Sequence, residues 1–393
     1  MELYTIEEKN YTNKKVFVRV DFNVPMKKKV ITDDTRIKSV IPTIEYLISK
    51  KASLILASHL GRPEGKFVEE MSLRPVAERL SNLIGKNVKF APDCIGEEVK
   101  KMVKDLKPGE ILLLENLRFH QEEEKGDENF ASQLASLAES YVNDAFGTCH
   151  RPHASITGIT KFLSDVAIGF LIKKEVSALS KLLTNPSRPF LLILGGAKVS
   201  DKIGLIKNLL DKVDTIITGG VMAYTFIKAK NWGIGNSKVE EEAIPLAKEI
   251  IKQMNKRHLE FHTPLDHVVA DKIAPDANYY TTERGTIPSG AIGVDIGPQA
   301  IEEYVDCINR AKTIFWNGPM GIFEIEPFAK GTIEIAKAIA NSSAFSVIGG
   351  GDSLSAVNKA GVSDKISHLC TGGGASLEFL EKGTLPGLEV LKK

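Results

Sequence analysis

Short apolar runs alternate with longer stretches in which apolar positions recur every three or four residues, along almost the whole chain. The short runs predict strands buried on both faces and the longer stretches predict helices burying one face. Their regular alternation predicts an α/β fold of βα units around mainly parallel sheets. Ten strands are expected, at 16–20, 54–58, 88–91, 111–114, 141–143, 191–194, 215–218, 293–296, 313–316 and 345–348. Ile203, Ile206, Leu209, Leu210 and Val213 repeat at helical spacing behind Ser200, which is placed to cap that helix. The stretch 170–183 also reads as a helix and leads into Thr184-Asn185-Pro186-Ser187-Arg188-Pro189, a breaker cluster that suggests a connector between domains. No fixed-period repeat or low-complexity tract appears.

The length of 393 residues predicts two or three domains, and two is the simpler division. Hydrophobic residues make up 43% and charged residues 26%, the balance of an ordinary globular chain rather than a disordered or disulfide-stapled one. Lys and Arg total 51 against 50 Asp and Glu, so no global field draws the chain to nucleic acid or to an acidic membrane. An anion site must therefore be assembled locally. The four cysteines, Cys94, Cys149, Cys307 and Cys370, form no C-x-x-C pair and no metal-finger spacing, so buried free thiols are expected rather than a zinc site or disulfides. Residues 1–10 are polar and acidic, unlike a signal peptide, and no apolar run is long enough to span a bilayer. A cytoplasmic location is expected.

Ligands of open α/β sheets bind beyond the carboxyl ends of the strands, and there the two halves of the chain differ. In the first half those positions are cationic. Strand 16–20 leads to Asp21-Phe22-Asn23 and then Arg36, and strand 54–58 to His59-Leu60-Gly61-Arg62. Strand 111–114 is followed by Arg118, and strand 141–143 by a segment ending in His150-Arg151. A single arginine there is ordinarily half of a surface ion pair. Four converging from four strand ends would hold a small polyanion, because the guanidinium fork fits carboxylate and phosphate oxygens.

In the second half the same positions are glycines: Gly195-Gly196-Ala197-Lys198, Gly219-Gly220, Asn317-Gly318-Pro319, Gly349-Gly350-Gly351-Asp352 and, before a short helix, Gly372-Gly373-Gly374. One such pair is a tight turn or a cap. Repeated at successive strand ends, they let backbone N–H groups and helix starts approach phosphates, which predicts a nucleotide site. Lys198 and Lys202 either face its phosphate chain or are unrelated solvated lysines. Asp352 is either a helix cap or a magnesium ligand, and Glu324 either binds ribose hydroxyls or sits in a solvated turn. Neither G-x-G-x-x-G nor G-x-x-x-x-G-K-[ST] is present, which argues against a dinucleotide dehydrogenase and a P-loop enzyme.

The chain closely resembles the phosphoglycerate kinase family over nearly its whole length. The resemblance is carried by Arg19-Val20-Asp21-Phe22-Asn23-Val24-Pro25, Ser58-His59-Leu60-Gly61-Arg62-Pro63, Gly195-Gly196-Ala197-Lys198-Val199-Ser200-Asp201-Lys202, Trp316-Asn317-Gly318-Pro319, Gly349-Gly350-Gly351-Asp352 and Thr371-Gly372-Gly373-Gly374-Ala375-Ser376. It implies two Rossmann-like domains joined by a hinge helix: a phosphoglycerate-binding domain at 1–170, the helix at 171–185, a nucleotide-binding domain at 186–380 and a tail, 381–393, returning to the first. It implies reversible transfer of phosphoryl from 1,3-bisphosphoglycerate to ADP with Mg2+, giving 3-phosphoglycerate and ATP, by a monomer with no nucleic-acid or membrane partner.

By the same resemblance, Asp21, Phe22, Asn23, Arg36, His59, Leu60, Gly61, Arg62, Arg118 and Arg151 bind the phosphoglycerate. Gly196, Lys198, Lys202, Gly219, Gly220, Gly293, Pro319 and Glu324 hold the nucleotide, together with Gly350, Gly351, Asp352 and Ser353, and Asp352 is the metal ligand. Arg36, Lys198, Gly350 and Gly373 act at the transferring group. Ala291 departs from the bulky aromatic that many relatives carry just before the position of Gly293. The rival readings are a hinged binding module that traps an anionic metabolite without chemistry, which leaves two differently equipped sites unexplained, and an NAD-dependent dehydrogenase.

Overall fold

The computed structural model describes residues 1–283 and 285–393. The chain divides into two compact units, Met1–Ser177 with Thr384–Lys393, and Ala178–Gly383. The division falls inside the helix Phe170–Thr184.

The first unit contains β1 (Lys15–Val20), the hairpin strands β2 (Met26–Lys27) and β3 (Val30–Ile31), β4 (Ser53–Ala57), β5 (Val88–Phe90), β6 (Ile111–Leu113), β7 (Ser140–Asp144) and β8 (Val166–Ile168). Six of them form a wholly parallel sheet in the order β5-β6-β4-β1-β7-β8. Every residue of β4 and β7 is buried, as expected of central strands with helices on both faces. One core cluster joins Val16, Val18 and Val20 of β1 to Leu54 and Leu56 of β4 and to Ile37, Val40, Ile44 and Leu47 of the helix Thr35–Ser49. Residues 384–393 complete this unit: Gly387 N–H donates to Cys149 C=O at 2.8 Å, and Leu3 bridges to Lys392.

The second unit contains β9 (Phe190–Leu194), β10 (Thr215–Thr218), β11 (Glu260–His262), β12 (His267–Ala270), β13 (Tyr279–Thr281), β14 (Ile292–Ile296), β15 (Thr313–Asn317), β16 (Phe345–Gly349) and β17 (His368–Leu369). Its parallel sheet runs β11-β10-β9-β15-β16-β17. The strand expected at 293–296 forms, as β14, but outside that sheet. It pairs antiparallel with β12 in the separate ladder β13-β12-β14.

All ten expected strands are present within a residue or so. The helix expected behind Ser200 starts and ends differently. A 3-10 turn occupies Ser200–Lys202, the α-helix runs Ile203–Leu209, and Val213 lies beyond it. Ser200 does not cap that helix; its hydroxyl donates to Glu240 instead. All four cysteines are free and buried, and among the described residues no helix is long and apolar enough to cross a membrane.

Leu56 is fully buried in the middle of the first sheet. Leu56→Ala is expected to destabilise the first unit by about 2–5 kcal/mol through lost burial and the cavity left behind. Hydrogen exchange of peptides from Met1–Ser177 across a urea series measures this, and an unchanged midpoint would contradict it.

Candidate active site

In the first unit the carboxyl ends of β1, β4 and β6 meet around Asp21. Its carboxylate is buried, takes Arg36 Nη1 at 2.6 Å, and accepts the Asn23 N–H at 3.2 Å. Burial pushes the Asp21 carboxyl up, but the guanidinium charges of Arg36 and Arg19 and the hydrogen bond from the Asn23 N–H outweigh it and leave the group below the usual carboxylate range. Asn23 Oδ1 accepts the Gly61 N–H at 2.9 Å, and the Phe22 N–H donates to Ser58 Oγ at 2.8 Å. Leu60 and Asn116 exchange two hydrogen bonds, and the Gly61 carbonyl accepts Arg118 Nη1 at 2.9 Å. Gly61 sits at φ +64°, where an added Cβ would also stand 2.8 Å from Met71 Sδ. The loops after three strands are thus tied to one another before any ligand arrives.

Several cations lie within electrostatic reach of one another here. Burial holds His59 well below the ordinary histidine range despite Asp21 beside it, and Arg19, Arg118 and Arg36 oppose a further charge there. His153 is lowered to about 3, by burial first and then by Arg19, Arg118, Arg151 and His150. Arg118 is depressed by burial and, in part, by Arg19 and Arg62. Arg62 and Arg151 are exposed, and among the described residues neither has a carboxylate partner within ion-pair distance. Exposed and unpaired guanidiniums beside buried positive charge are placed to attract an anion.

Two members escaped the sequence reading. Arg19 is fully buried within β1; its Nε donates to Ser155 Oγ at 2.8 Å, and its Nη2 lies 3.4 Å from His59 Nδ1. His153 is nearly as buried. An arginine inside the otherwise apolar run 16–20 was the available signal for the first; nothing local marked the second.

In the second unit, glycines let backbone segments touch. A Cβ on Gly195 would meet the Pro319 carbonyl oxygen at 2.0 Å, and one on Gly220 the Gly196 nitrogen at 2.8 Å. The ends of β9, β10 and β15 are laced together by Gly195 N–H to Asn317 C=O at 2.9 Å, Gly196 N–H to Pro319 C=O at 3.0 Å, and Gly220 N–H to Met320 C=O at 2.8 Å. Gly219 caps the helix Gly220–Ala229, Gly350 at φ +94° caps Gly351–Lys359, and Gly373 at φ +55° caps Gly374–Lys382. Three helix starts, with their free N–H groups, thus follow glycine turns.

A cavity of about 410 Å³ opens beside these loops, lined by Gly196, Gly220, Gly293, Pro319, Glu324 and Asp352 among others. Lys198, Lys202, Gly219, Gly350, Gly351, Ser353 and Gly373 are not on its wall. Lys198 is exposed, whereas Lys202 is buried with its ammonium on the carbonyls of Gly195 and Asn317 at 2.6 and 2.9 Å. Ser353 Oγ accepts the Gly318 N–H at 2.7 Å, which ties the glycine turn after β16 to the one after β15. Asp352 is exposed in the first turn of its helix and makes no cap, so the capping alternative fails. Glu324 is exposed at the cavity rim. Ala291 is buried against Tyr224 and Ile287, and Tyr224 supplies an aromatic wall of the cavity.

An arginine cradle in one unit and a cavity edged by glycine turns in the other are the equipment of a phosphotransferase that works on a small anion and a nucleotide. The chain belongs to the phosphoglycerate kinase family: the family model described as phosphoglycerate kinase matches residues 6–383. A phosphoglycerate kinase of Koribacter versatilis is 54% identical over 400 residues, covering 100% of this chain and 99% of its own. One from Clostridium botulinum is 52% identical over 389 residues, with 98% of each chain covered. Among solved structures, phosphoglycerate kinase from Coxiella burnetii superposes with a TM-score of 0.91 at 40% identity, covering 99% of this chain and 98% of its own. That from Pyrococcus horikoshii gives 0.85 at 35%, with the same coverage. The chain is accordingly an enzyme that transfers phosphate to the carboxyl group of 3-phosphoglycerate, with a nucleotide as co-substrate.

Burial lowers the Lys202 ammonium to about 8, although Asp201 and Asp352 favour its charge. Between that value and the ordinary 10.5 the unfolded chain binds more protons, so this group makes stability rise with pH from about 8 to 10.5. Lys202→Met should remove that rise, which is on the order of 3 kcal/mol. Urea midpoints of both proteins between pH 7 and 10.5 measure it, and parallel pH profiles would contradict it.

Proposed function

We propose that the arginine cradle binds the phosphoglycerate through Arg62, Arg118 and Arg151, with Asp21, Asn23 and His59 fixing the sugar-acid end and the backbone of Phe22, Leu60 and Gly61 shaping the pocket. The observation that carries this reading is that Arg62 and Arg151, at the carboxyl ends of the first sheet, are exposed and have no carboxylate partner among the described residues, beside Arg36 and Arg118, which each have one. The nucleotide takes the cavity of the second unit. Its base and ribose lie against Gly220, Gly293, Pro319 and Glu324, with Gly219 just behind that wall, and its phosphates lie toward Gly196, Lys198, Lys202 and the turn Gly350, Gly351, Asp352 and Ser353. The reaction is the reversible exchange of phosphoryl between 1,3-bisphosphoglycerate and ADP, carried out by a cytoplasmic monomer without nucleic-acid or membrane partners.

Neither direction requires a side-chain nucleophile or a base, because the attacking carboxylate or phosphate is already ionised at neutral pH. The protein's part is to bring the reacting oxygens within about 3–3.5 Å in line and to neutralise the charge on the moving group. Arg36 is prepared for this by its ion pair with Asp21, which holds the guanidinium until an anion competes for it. Lys198 and the amides at Gly350 and Gly373 supply the opposing contacts. Asp352 suits Mg2+: it is an exposed carboxylate on the cavity wall, without a hydrogen-bond or ion-pair partner among the described residues, and Mg2+ is commonly held by one carboxylate plus substrate phosphates. When bound, the ion supplies charge neutralisation on the phosphate chain.

A coupled assay of 3-phosphoglycerate with MgATP tests the whole reading; a binding module would turn nothing over. Arg36→Ala is expected to leave the fold intact and to lower kcat about 10³-fold while weakening ADP binding little. A folded variant with near wild-type turnover would remove Arg36 from the transfer step. Asp352→Asn should raise the Mg2+ needed for half-maximal activity, because an amide is a weaker ligand for a hard cation. An unchanged magnesium dependence would exclude Asp352 as the ligand.

A further inference from the structure

Away from the glycine turns, a histidine, a thiol and two carboxylates of the second unit meet between the edge strand β11 and the helix Pro298–Arg310. Glu260 and His262 are two residues apart on β11 and so project from one face of the strand. Glu303 and Cys307 are four apart on the helix and so share one side of it. Donor atoms of Glu260, His262 and Cys307 all lie within 4.8 Å of one another. His262 Nε2 stands 3.8 Å from Glu260 Oε2, and His262 Nδ1 stands 2.8 Å from Glu303 Oε1. The Nδ1 contact leaves Nε2 buried and, among the described residues, without a hydrogen-bond partner.

We propose that Glu260, His262 and Cys307 form a binding site for Zn2+ or a similar borderline-soft divalent ion, with Glu303 orienting the histidine and a fourth position left for water. Four features support the assignment. One thiolate, one imidazole and one carboxylate are donors that favour zinc over magnesium or calcium. Zinc–nitrogen and zinc–oxygen bonds of about 2.0–2.2 Å in a tetrahedron set those ligand atoms roughly 3.3–3.6 Å apart, so the Glu260–His262 pair at 3.8 Å has only a few tenths of an ångström to close. The Glu303–His262 contact is the carboxylate–histidine arrangement that fixes the ring of a metal-bound histidine and makes it more basic. Cys307 and Arg310 line two surface clefts, one of about 580 Å³, which give an ion access.

The charge also balances. Binding requires a thiolate and a neutral imidazole, so protons leave as the ion enters, and a dication that replaces two protons leaves the net charge unchanged. Arg310 is the competing cation, with Nη2 3.2 Å from Glu260 Oε2 and 3.5 Å from Cys307 Sγ. Its side chain is 59% exposed and can turn outward to solvent. Thr215 Oγ1 donates to Glu260 Oε2 at 3.1 Å and steadies that carboxylate. Cysteine spacing does not reveal such a site, because its ligands come from a strand and from a helix more than forty residues further on.

The test is to titrate the metal-free, untagged full chain with Co2+ in the absence of nucleotide. The wild type should develop thiolate-to-cobalt charge-transfer absorption and the intense visible bands of a tetrahedral complex, and Zn2+ should abolish both by displacement. Cys307→Ser should lose the charge-transfer band while keeping wild-type circular dichroism and turnover. Glu303→Gln should keep the bands and bind about 10–100-fold more weakly. Cys94→Ser should change nothing, which separates this site from the Asp93, Cys94 and His120 group in the first unit. Absence of the bands from the wild type, their survival in Cys307→Ser, or their loss in Cys94→Ser would overturn the proposal, and none of these outcomes bears on phosphoryl transfer.

Discussion

The arginine cradle is organised by one charge that never meets solvent. Arg19 lies inside β1 with its guanidinium on Ser155 Oγ, the Val20 carbonyl and the His59 ring, and with Glu123 4.0 Å away. A guanidinium stays charged in protein interiors, so its field acts on everything nearby at low dielectric. It helps to hold Asp21 ionised, to keep His59 and His153 neutral, and to oppose the upward push of burial on Glu123. The exposed arginines are free to meet a ligand because the buried one takes part in fixing the charge states beneath them. Replacing one partner of such a network leaves the others buried without compensation, so its members act as a set.

The second unit solves a different problem by a different means. In the proposed reading a nucleotide's phosphates are met there by backbone, and backbone can approach a ligand closely only where side chains are missing. The Gly195–Pro319 and Gly220–Gly196 approaches leave no room for a Cβ, and the hydrogen bonds across them hold the ends of β9, β10 and β15 in one surface. Lys202 sits under that surface rather than on it, with its ammonium satisfied by the two carbonyls that the close approach exposes. The cradle therefore depends on long side chains braced by a buried charge, and the cavity on short ones that let main chain pack against main chain.

Much of this was legible in the chain itself, for physical reasons. Central parallel strands such as Ser53–Ala57 are apolar on both faces and announce themselves as unbroken runs, which in turn marks the residues just after them as candidates for binding. Val166–Ile168, Glu260–His262 and His368–Leu369 did not stand out because they are two- or three-residue strands at sheet edges. Ser200 was misplaced as a cap because its hydroxyl is engaged by Glu240, forty residues away, a competitor that local pattern cannot show. The capping reading of Asp352 was set aside only when Gly350 proved to occupy the cap position. Arg19 and His153 were missed because their roles arise from neighbours brought together by the sheet.

The return of Thr384–Lys393 to the first unit has a consequence for synthesis. Gly387 N–H closes on the Cys149 carbonyl, and Leu388 and Leu391 are wholly buried, so those residues belong to the first unit's interior although the whole second unit precedes them in the chain. On a ribosome, Ala178–Gly383 emerges in full before that closing segment does. The second unit is continuous in sequence, whereas the first stays incomplete through the translation of some two hundred further residues. The half of the enzyme that is made first is the half that is finished last.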